Sequence, residues 1–99
     1  MVLVYKPINF DRHNIPEHMR GGIERYVRAG IRPGDFLLAV FRDEFSEAVL
    51  RADFANERLL REYALFLHSG IIPDQAWGSR AKVDDWIKRG GELGADKEG

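Results

Sequence analysis

The sequence predicts an all-α fold: a compact single domain of four to five helices, preceded by a short N-terminal strand or extended arm. Apolar residues recur at intervals of three and four along most of the chain, which is the spacing of helices that bury one face. Glycine and proline interrupt this spacing at only a few points. A chain of 99 residues suits one hydrophobic core rather than two.

Residues 1–13 are expected to form the arm. The segment MVLVYKPINFDR alternates weakly between apolar and polar side chains, as a short strand does. Pro7 would confine such a strand to a sheet edge, because proline cannot donate a ladder hydrogen bond. A strand and an irregular arm both remain open.

The first helix of the core, which spans residues 14–91, should run from Asn14–Pro16 to Gly30. Asn14 can cap it, with Glu17 three residues later as in a capping box, and Pro16 suits the first turn. Its apolar stripe consists of Met19, Gly22, Ile23, Tyr26 and Val27. Gly22 would let a neighbouring backbone or ring approach closely. Gly21 lies on the polar side, where it costs about 1 kcal/mol relative to alanine unless a partner needs the space.

A second helix should follow the turn IRPGD, capped by Asp35, and run from Phe36 to about Ala52. A third is expected from the possible cap Asp53 to His68-Ser69-Gly70, and the two can also form one bent helix. Within them, Glu47–Arg51 and Glu57–Arg61 have the spacing of helix-stabilising ion pairs.

The last predicted helix begins after the loop GIIPDQAWGSR, where Ser79 is placed to cap it. It carries Val83, Trp86 and Ile87 and ends at Gly90-Gly91. Residues 92–99 are expected to fray, as chain termini commonly do.

The composition excludes several classes of protein. With 44% hydrophobic and 31% charged residues, the chain is too apolar for disorder, and it lacks the run of about 18 apolar residues that spans a membrane. Without cysteine there can be no disulfide and no thiolate metal site. MVLVYK is too short for a secretory signal. These features favour a cytoplasmic protein.

The net charge of −1 conceals three blocks of alternating sign. Residues 12–32 and 58–91 are basic, whereas residues 33–57 carry six acids against two arginines. Such blocks can pair within one subunit or between subunits, and they leave no uniformly basic surface for duplex DNA. Eleven of the fifteen basic residues are arginine, which suits bidentate pairing with carboxylate or phosphate.

No catalytic motif is evident. His13, His18 and His68 lack metal-ligand spacing, and the glycines match neither a P-loop nor a dinucleotide-binding pattern. The adjacent acids Asp84-Asp85 point to different sides of a helix, so they do not form an acid–base pair. The sequence therefore predicts a protein that is not an enzyme and that needs no cofactor and no metal.

Two features are candidate binding sites. Trp77, followed by Gly78, Ser79 and Arg80, could offer an anionic ligand a stacking face, helix-start amides and a charge. The alternative is a tryptophan that closes the core under its loop.

The second feature is the row formed by Arg20 and Arg28, with Arg25 nearby. The alternative is that these arginines form internal ion pairs with Glu24 or with the acidic second helix.

The chain resembles a family of small accessory proteins encoded by tailed bacteriophages and prophages. The resemblance lies in IPEHMRGGIERYVRAGIRPGDFLLAV, RDEFSEAVLRADFAN and AWGSRAKVDDW, and it covers about residues 15–86. The matching positions are Ile15, Pro16, Tyr26, Val27, Pro33, Gly34, Phe36, Leu37, Ala39, Val40, Ala52, Asp53, Asn56, Trp77, Gly78, Ser79 and Trp86. Asp43-Glu44-Phe45 replaces the family's Asn-Asp-Leu, and Ala76 stands where cysteine is frequent. The resemblance implies a phage source, expression inside a bacterium, and an accessory or counter-defence role.

The leading hypothesis is a homo-oligomeric, non-enzymatic protein that sequesters a small anionic, nucleotide-type signal molecule. Arginines would neutralise phosphate, Tyr26 or Trp77 would stack, and Asn56 would read a base edge. The predicted ligand-binding residues are Arg20, Tyr26, Arg28, Arg51, Asn56, Trp77 and Arg80. The alternative is an inhibitor or adaptor that masks a host bacterial protein. Neither hypothesis involves duplex nucleic acid or a membrane.

Overall fold

Seven α-helices make up the fold of this computed structural model, which describes the backbone of residues 8–98 and the side chains of residues 8–94. They are α1 (Glu17–Ala29), α2 (Asp35–Phe41), α3 (Phe45–Arg51), α4 (Phe54–Glu57), α5 (Leu60–Leu67), α6 (Arg80–Arg89) and α7 (Gly91–Glu98). A 3₁₀ turn, Asp74–Ala76, precedes α6. Residues 8–98 contain no strand, which confirms the predicted all-α fold. Residues 1–7 of the predicted arm lie outside the described residues.

Helix α1 begins and ends close to the predicted positions. The predicted cap Asn14 is wrong, because the N-cap is Pro16 and it makes no side-chain cap bond. At the other end Gly30 takes a φ of 66°, and its N–H donates to the carbonyl of Tyr26 at 2.9 Å. Ile23, Tyr26 and Val27 are buried, as predicted.

The two central glycines of α1 have different surroundings. A Cβ atom on Gly22 would lie 3.4 Å from a methyl group of Leu37, so an α2 side chain, and not the expected backbone or ring, packs here. Gly21 is exposed, and the nearest group to an added Cβ would be the flexible Arg25 guanidinium at 3.0 Å. Gly21 therefore lies on the surface, and no packing within the described core requires a glycine here.

The predicted second helix is wrong, because it divides into α2 and α3 at Asp43. This residue adopts a φ of 60° and is the one described non-glycine residue with a positive φ. The N–H of Glu44 then donates to the carbonyl of Ala39 at 2.9 Å, which closes α2. Asp35 is not the cap of α2 either, since Gly34 occupies that position and Asp35 is the first helical residue. The six residues 36–41 are all buried.

The predicted third helix is also divided. Ala52 is extended, with a ψ of 137°, so α3 and α4 do not form one bent helix. Asp53 caps α4 as predicted, accepting a hydrogen bond from the N–H of Asn56 at 2.8 Å. Leu59 separates α4 from α5, and the expected Glu57–Arg61 pair therefore does not lie on one helix.

Three long-range contacts join α1 to α2, to the 3₁₀ turn and to α6. The Tyr26 ring stacks on Phe41 with ring centroids 4.5 Å apart. The Tyr26 hydroxyl donates to the carbonyl of Ala76 at 2.7 Å, and Trp86 Nε1 donates to the carbonyl of Tyr26 at 2.9 Å. Ser79 caps α6 as predicted, accepting from the N–H of Lys82 at 3.1 Å.

Residues 91–98 form α7 instead of the expected frayed tail. Gly90 ends α6 with a φ of 82°, and Gly91 follows with a φ of 66°. The backbones of Gly30 and Gly91 are so close that a Cβ atom on Gly30 would lie 2.7 Å from the nitrogen of Gly91. This contact between the end of α1 and the start of α7 gives the last segment a packing partner, which a sequence-local argument does not see.

Candidate ligand-binding cleft

Helix α3 separates two concave surfaces of different chemistry. Ala48 is the one buried residue of this helix. Glu47 and Arg51, four residues apart, lie on one flank, whereas Phe45 and Val49, also four apart, lie on the other. The first flank borders a polar cleft, and the second borders an apolar groove.

The polar surface, which we call the arginine cleft, has a volume of about 170 Å³. It is lined by four arginines and three carboxylates, with Leu38 and Ala39 beneath them, and so carries one net positive charge. The charged residues are Arg32, Asp35, Arg42, Glu44, Glu47, Arg51 and Arg80. Helices α2, α3 and the start of α6 supply most of them, so the cleft depends on the packing of distant segments.

Two of the cleft arginines pair with carboxylates of the cleft itself. Arg80 Nε lies 2.7 Å from Glu44 Oε2, and this hydrogen bond lowers the pKa of the Glu44 carboxyl and raises the pKa of Arg80. Arg51 lies between two acids, 3.4 Å from Glu47 and 3.8 Å from Asp35. The side chains of Arg51 and Asp35 remain 56% and 70% exposed.

The other two arginines retain unused hydrogen-bond donors. Arg42 has a side chain only 16% exposed; its guanidinium lies 3.8 Å from Asp84, while its buried Nε has no partner among the described residues. Arg32 is exposed, and no ion pair or hydrogen bond joins its side chain to the described part of the chain. Arg32 can therefore offer N–H donors to a ligand without first breaking an internal contact, whereas the unpartnered Nε of Arg42 is buried.

Tyr26 and Asn56, which were predicted to contact a ligand, are instead buried in the core, with 0% and 1% of their surface exposed. Burial raises the pKa of the Tyr26 hydroxyl, which already donates to Ala76. The amide oxygen of Asn56 accepts a hydrogen bond from the Tyr63 hydroxyl at 2.5 Å. Both polar groups stabilise the core instead of facing solvent.

The predicted arginine row on α1 does not reach the cleft. Arg20 Nε donates to the carbonyl of Ile15 at 3.0 Å, and its guanidinium lies over the Phe10 ring at 5.1 Å. Arg28, like Arg20, interacts with another group of the protein. Neither residue lines the arginine cleft, whereas Arg51 and Arg80 both do.

Trp77 and Arg80 do not form the stacking site that their proximity in sequence suggested. Trp77 is half-buried against the core, with its ring 4.9 Å from His68 in an edge-on arrangement. The N–H of Gly78 donates to the carbonyl of Phe41 at 2.8 Å, which fixes the loop. Trp77 thus follows the alternative interpretation, in which it covers the core, while Arg80 extends into the cleft.

Sequence reasoning missed Arg32, Arg42 and Glu44 as cleft residues. The available signal was the alternation of charged blocks, which predicted pairing between the acidic segment and its basic neighbours. The Glu44–Arg80 pair follows this pattern between the second and third blocks within one subunit, whereas the Arg42–Asp84 pair joins an arginine of the acidic block to an acid of the basic block. The helix break at Asp43 places Arg42 and Glu44 beside the cleft, and the apolar spacing did not reveal that break.

The apolar groove on the other flank of α3 has a volume of about 60 Å³. Apolar side chains from α2, α3 and α5 form most of its lining: Ala39, Val40, Phe45, Ala48, Leu60, Ala64 and Leu67. Phe45 in this lining is 70% exposed, and the later α3 and α4 residues Val49, Leu50 and Phe54 are 40%, 77% and 75% exposed. We call these four residues the apolar face.

Two further observations bear on other classes of site. Among residues whose side chains are described, no three histidine, aspartate or glutamate groups lie together as a metal site requires. Within the same part of the chain, no helix has both the length and the apolar character needed to cross a bilayer.

Comparison with known proteins adds no relative from which a function could be transferred. No family model, curated protein or solved structure matches the chain. The arguments for function therefore depend on the geometry of the cleft and of the apolar face.

Proposed function

We propose that the protein is a non-enzymatic binding protein that holds a small anionic molecule of the nucleotide type in the arginine cleft. The observation that carries this proposal is the presence of four guanidinium groups around one concave surface. Arginine offers planar, paired N–H donors that match phosphate geometry. Of the ligand-binding residues predicted from the sequence, only Arg51 and Arg80 line this cleft.

The size of the cleft suggests which part of such a molecule it takes. Its volume of about 170 Å³ lies below the roughly 300–1,000 Å³ of pockets that enclose a drug-sized ligand. A phosphate or pyrophosphate group fits, while the sugar and base of a nucleotide would extend beyond the cleft. Phosphate recognition should therefore dominate the affinity.

The internal ion pairs do not prevent this binding. Solvent-exposed pairs such as Arg51–Asp35 typically contribute only about 0–1 kcal/mol. A hydrogen bond from arginine to a phosphate oxygen in a partly enclosed site contributes about 1.5–3 kcal/mol. An incoming phosphate can therefore replace Asp35 as the partner of Arg51 with a net gain.

The phage-like sequence pattern supports a biological setting for this activity. A small protein made in the cytoplasm of an infected bacterium could lower the free concentration of a nucleotide immune signal simply by binding it. Such sequestration needs affinity and abundance but no catalytic group, which agrees with the lack of a recognised catalytic motif in the sequence.

Titration calorimetry against cyclic nucleotides, linear nucleotides and pyrophosphate tests the proposal. Arg32→Gln and Arg51→Gln should each weaken binding about tenfold or more, because each removes a charge-assisted hydrogen bond. Arg61→Gln is the matched control, since this exposed α5 arginine lies outside the cleft. Binding should also weaken as salt concentration rises. An absence of heat across the panel, or equal affinities in all three variants, would contradict the proposal.

A second candidate function is the masking of a host bacterial protein. The observation that favours it is the apolar face, because exposed aromatic residues are typical of interaction surfaces. Affinity capture from host lysate separates the two functions. A stoichiometric protein partner supports masking, whereas a small molecule released on denaturation supports sequestration.

A further inference from the structure

We infer that the apolar face of α3 and α4 is the contact surface of a homodimer. Its four residues are among the six most exposed large hydrophobic side chains of the described part of the chain, and all four lie within residues 45–54. Side chains as exposed as these contribute little to the core of their own subunit. The occupant that fits the face best is a second copy of the chain.

The area of the face is close to what a dimer needs. Taking about 200 Å² for each phenylalanine and somewhat less for the aliphatic residues, the four side chains expose on the order of 400–500 Å². Two copies would therefore bury about 800–1,000 Å² through these residues alone, and the surrounding residues would bring the total to the lower limit of specific interfaces. We expect a weak dimer, with a dissociation constant in the micromolar range.

The surface combines projecting apolar side chains with a groove. Leu50 and Phe54 project into solvent, and Phe45 belongs to the apolar face and also lines the apolar groove. In a two-fold symmetric interface, the projecting side chain of each copy meets the groove of the other. A groove of about 60 Å³ accepts the end of a single apolar side chain, which matches this geometry.

The charges around the face also favour a second copy. Helix α4 and its flanks carry both signs: Asp53, Glu57 and Arg58. A two-fold axis can bring acids of one copy against bases of the other, whereas a partner with a strong charge of one sign would find no complementary surface. Arg58 lies over the Phe54 ring at 4.9 Å, which keeps its charge at the edge of the aromatic group.

Sedimentation equilibrium and light scattering over a range of protein concentrations test the inference. The wild-type mass should rise with concentration toward twice 11.4 kDa. Leu50→Glu and Phe54→Glu should each remain at the monomer mass, because a carboxylate would be buried without a partner in the dimer. Leu65→Glu is the matched control: Leu65 is also exposed, at 45%, but it lies on α5 outside the apolar face and outside the groove lining. This variant should dimerise like the wild type.

Circular dichroism and thermal melting are the checks that the variants fold. We expect both variants to fold, because Leu50 and Phe54 are more than 70% exposed and contribute little to the core. A wild-type mass of 11.4 kDa at every concentration would overturn the inference. Dimerisation that survives both Leu50→Glu and Phe54→Glu would overturn the assignment of this face. Stoichiometric binding of a host protein to a purified monomer through the same face would overturn the choice of occupant.

Discussion

The buried hydrogen bond between Asn56 and Tyr63 should contribute strongly to stability. Among the residues whose side chains are described, Asn56 is the one buried polar residue, and its amide oxygen accepts a hydrogen bond from the Tyr63 hydroxyl. The Tyr63→Phe substitution keeps the ring and removes this donor. Leaving a buried acceptor without a partner costs about 1–3 kcal/mol. For a domain of this size, we expect the melting temperature to fall by about 4–24 °C.

A double-mutant cycle measured by thermal and urea unfolding distinguishes this hydrogen bond from ordinary packing. Asn56→Ala leaves the Tyr63 hydroxyl without its partner, and the double variant removes both groups at once. The double variant should therefore lose less stability than the two single variants together, with a coupling energy of about 1 kcal/mol or more. Ser46→Ala, at an exposed position of α3, is the control and should change stability by less than about 0.5 kcal/mol. Additive single effects would refute the reasoning.

Three further predictions concern local backbone and capping. Gly30→Ala should destabilise the fold by more than about 1 kcal/mol in urea unfolding, because the residue has a positive φ and an added Cβ would meet the backbone of Gly91. Ser79→Ala should cost about 1 kcal/mol, and Ser79→Asp much less, because aspartate can also accept the capping bond from Lys82. The hydrogen bond from the N–H of Asn56, and then the contact with His18, lower the pKa of the Asp53 carboxyl below its usual 3.8. The ionised carboxylate therefore stabilises the fold fully above pH 3.8, and this contribution is lost as the pH falls through the lower pKa of the folded state. The stability advantage of wild type over Asp53→Asn should therefore shrink on acidification below pH 3.8, and a constant difference would contradict this.

The helix ends were predictable where a short sequence motif determines them. Gly30 and Gly90 adopt the left-handed conformation that commonly ends helices, and Asp53 and Ser79 accept the capping bonds that their side chains suit. These interactions join residues only a few positions apart. A single sequence therefore contains the information needed to place them.

The division at Asp43 could not be predicted in the same way. An aspartate at position 43 does not by itself indicate a left-handed backbone, because aspartate is more often found in other conformations. Phe45 and Ala48 also continue the apolar spacing beyond it. The burial of all six residues 36–41 also removes the polar face by which a helix is usually recognised. Periodicity thus predicted the helical state correctly and missed the point where the chain changes direction.

The candidate site was predicted only in part, because residue type indicates what a side chain can bind but not which way it faces. Tyr26 and Asn56 have the chemistry of ligand contacts, yet their hydrogen bonds go to Ala76 and Tyr63 inside the core. The Tyr26–Ala76 contact joins residues 50 positions apart, which no local pattern reveals. Arg51 and Arg80 were predicted as ligand residues and do line one cleft.

Helix α3 connects the two proposals and also allows them to be tested separately. Because only Ala48 of this helix is buried, most of its sequence is not constrained by the core. The exposed residues are nevertheless sorted by chemistry: Glu47 and Arg51 line the cleft, whereas Phe45 lines the groove and Val49, four residues later, lies on the same flank as Phe45. Since the two flanks do not share these side chains, Arg51→Gln should weaken anion binding without changing the mass, and Leu50→Glu should abolish the dimer without removing the cleft. A loss of both properties in either variant would instead show that the ligand site is completed by the second copy.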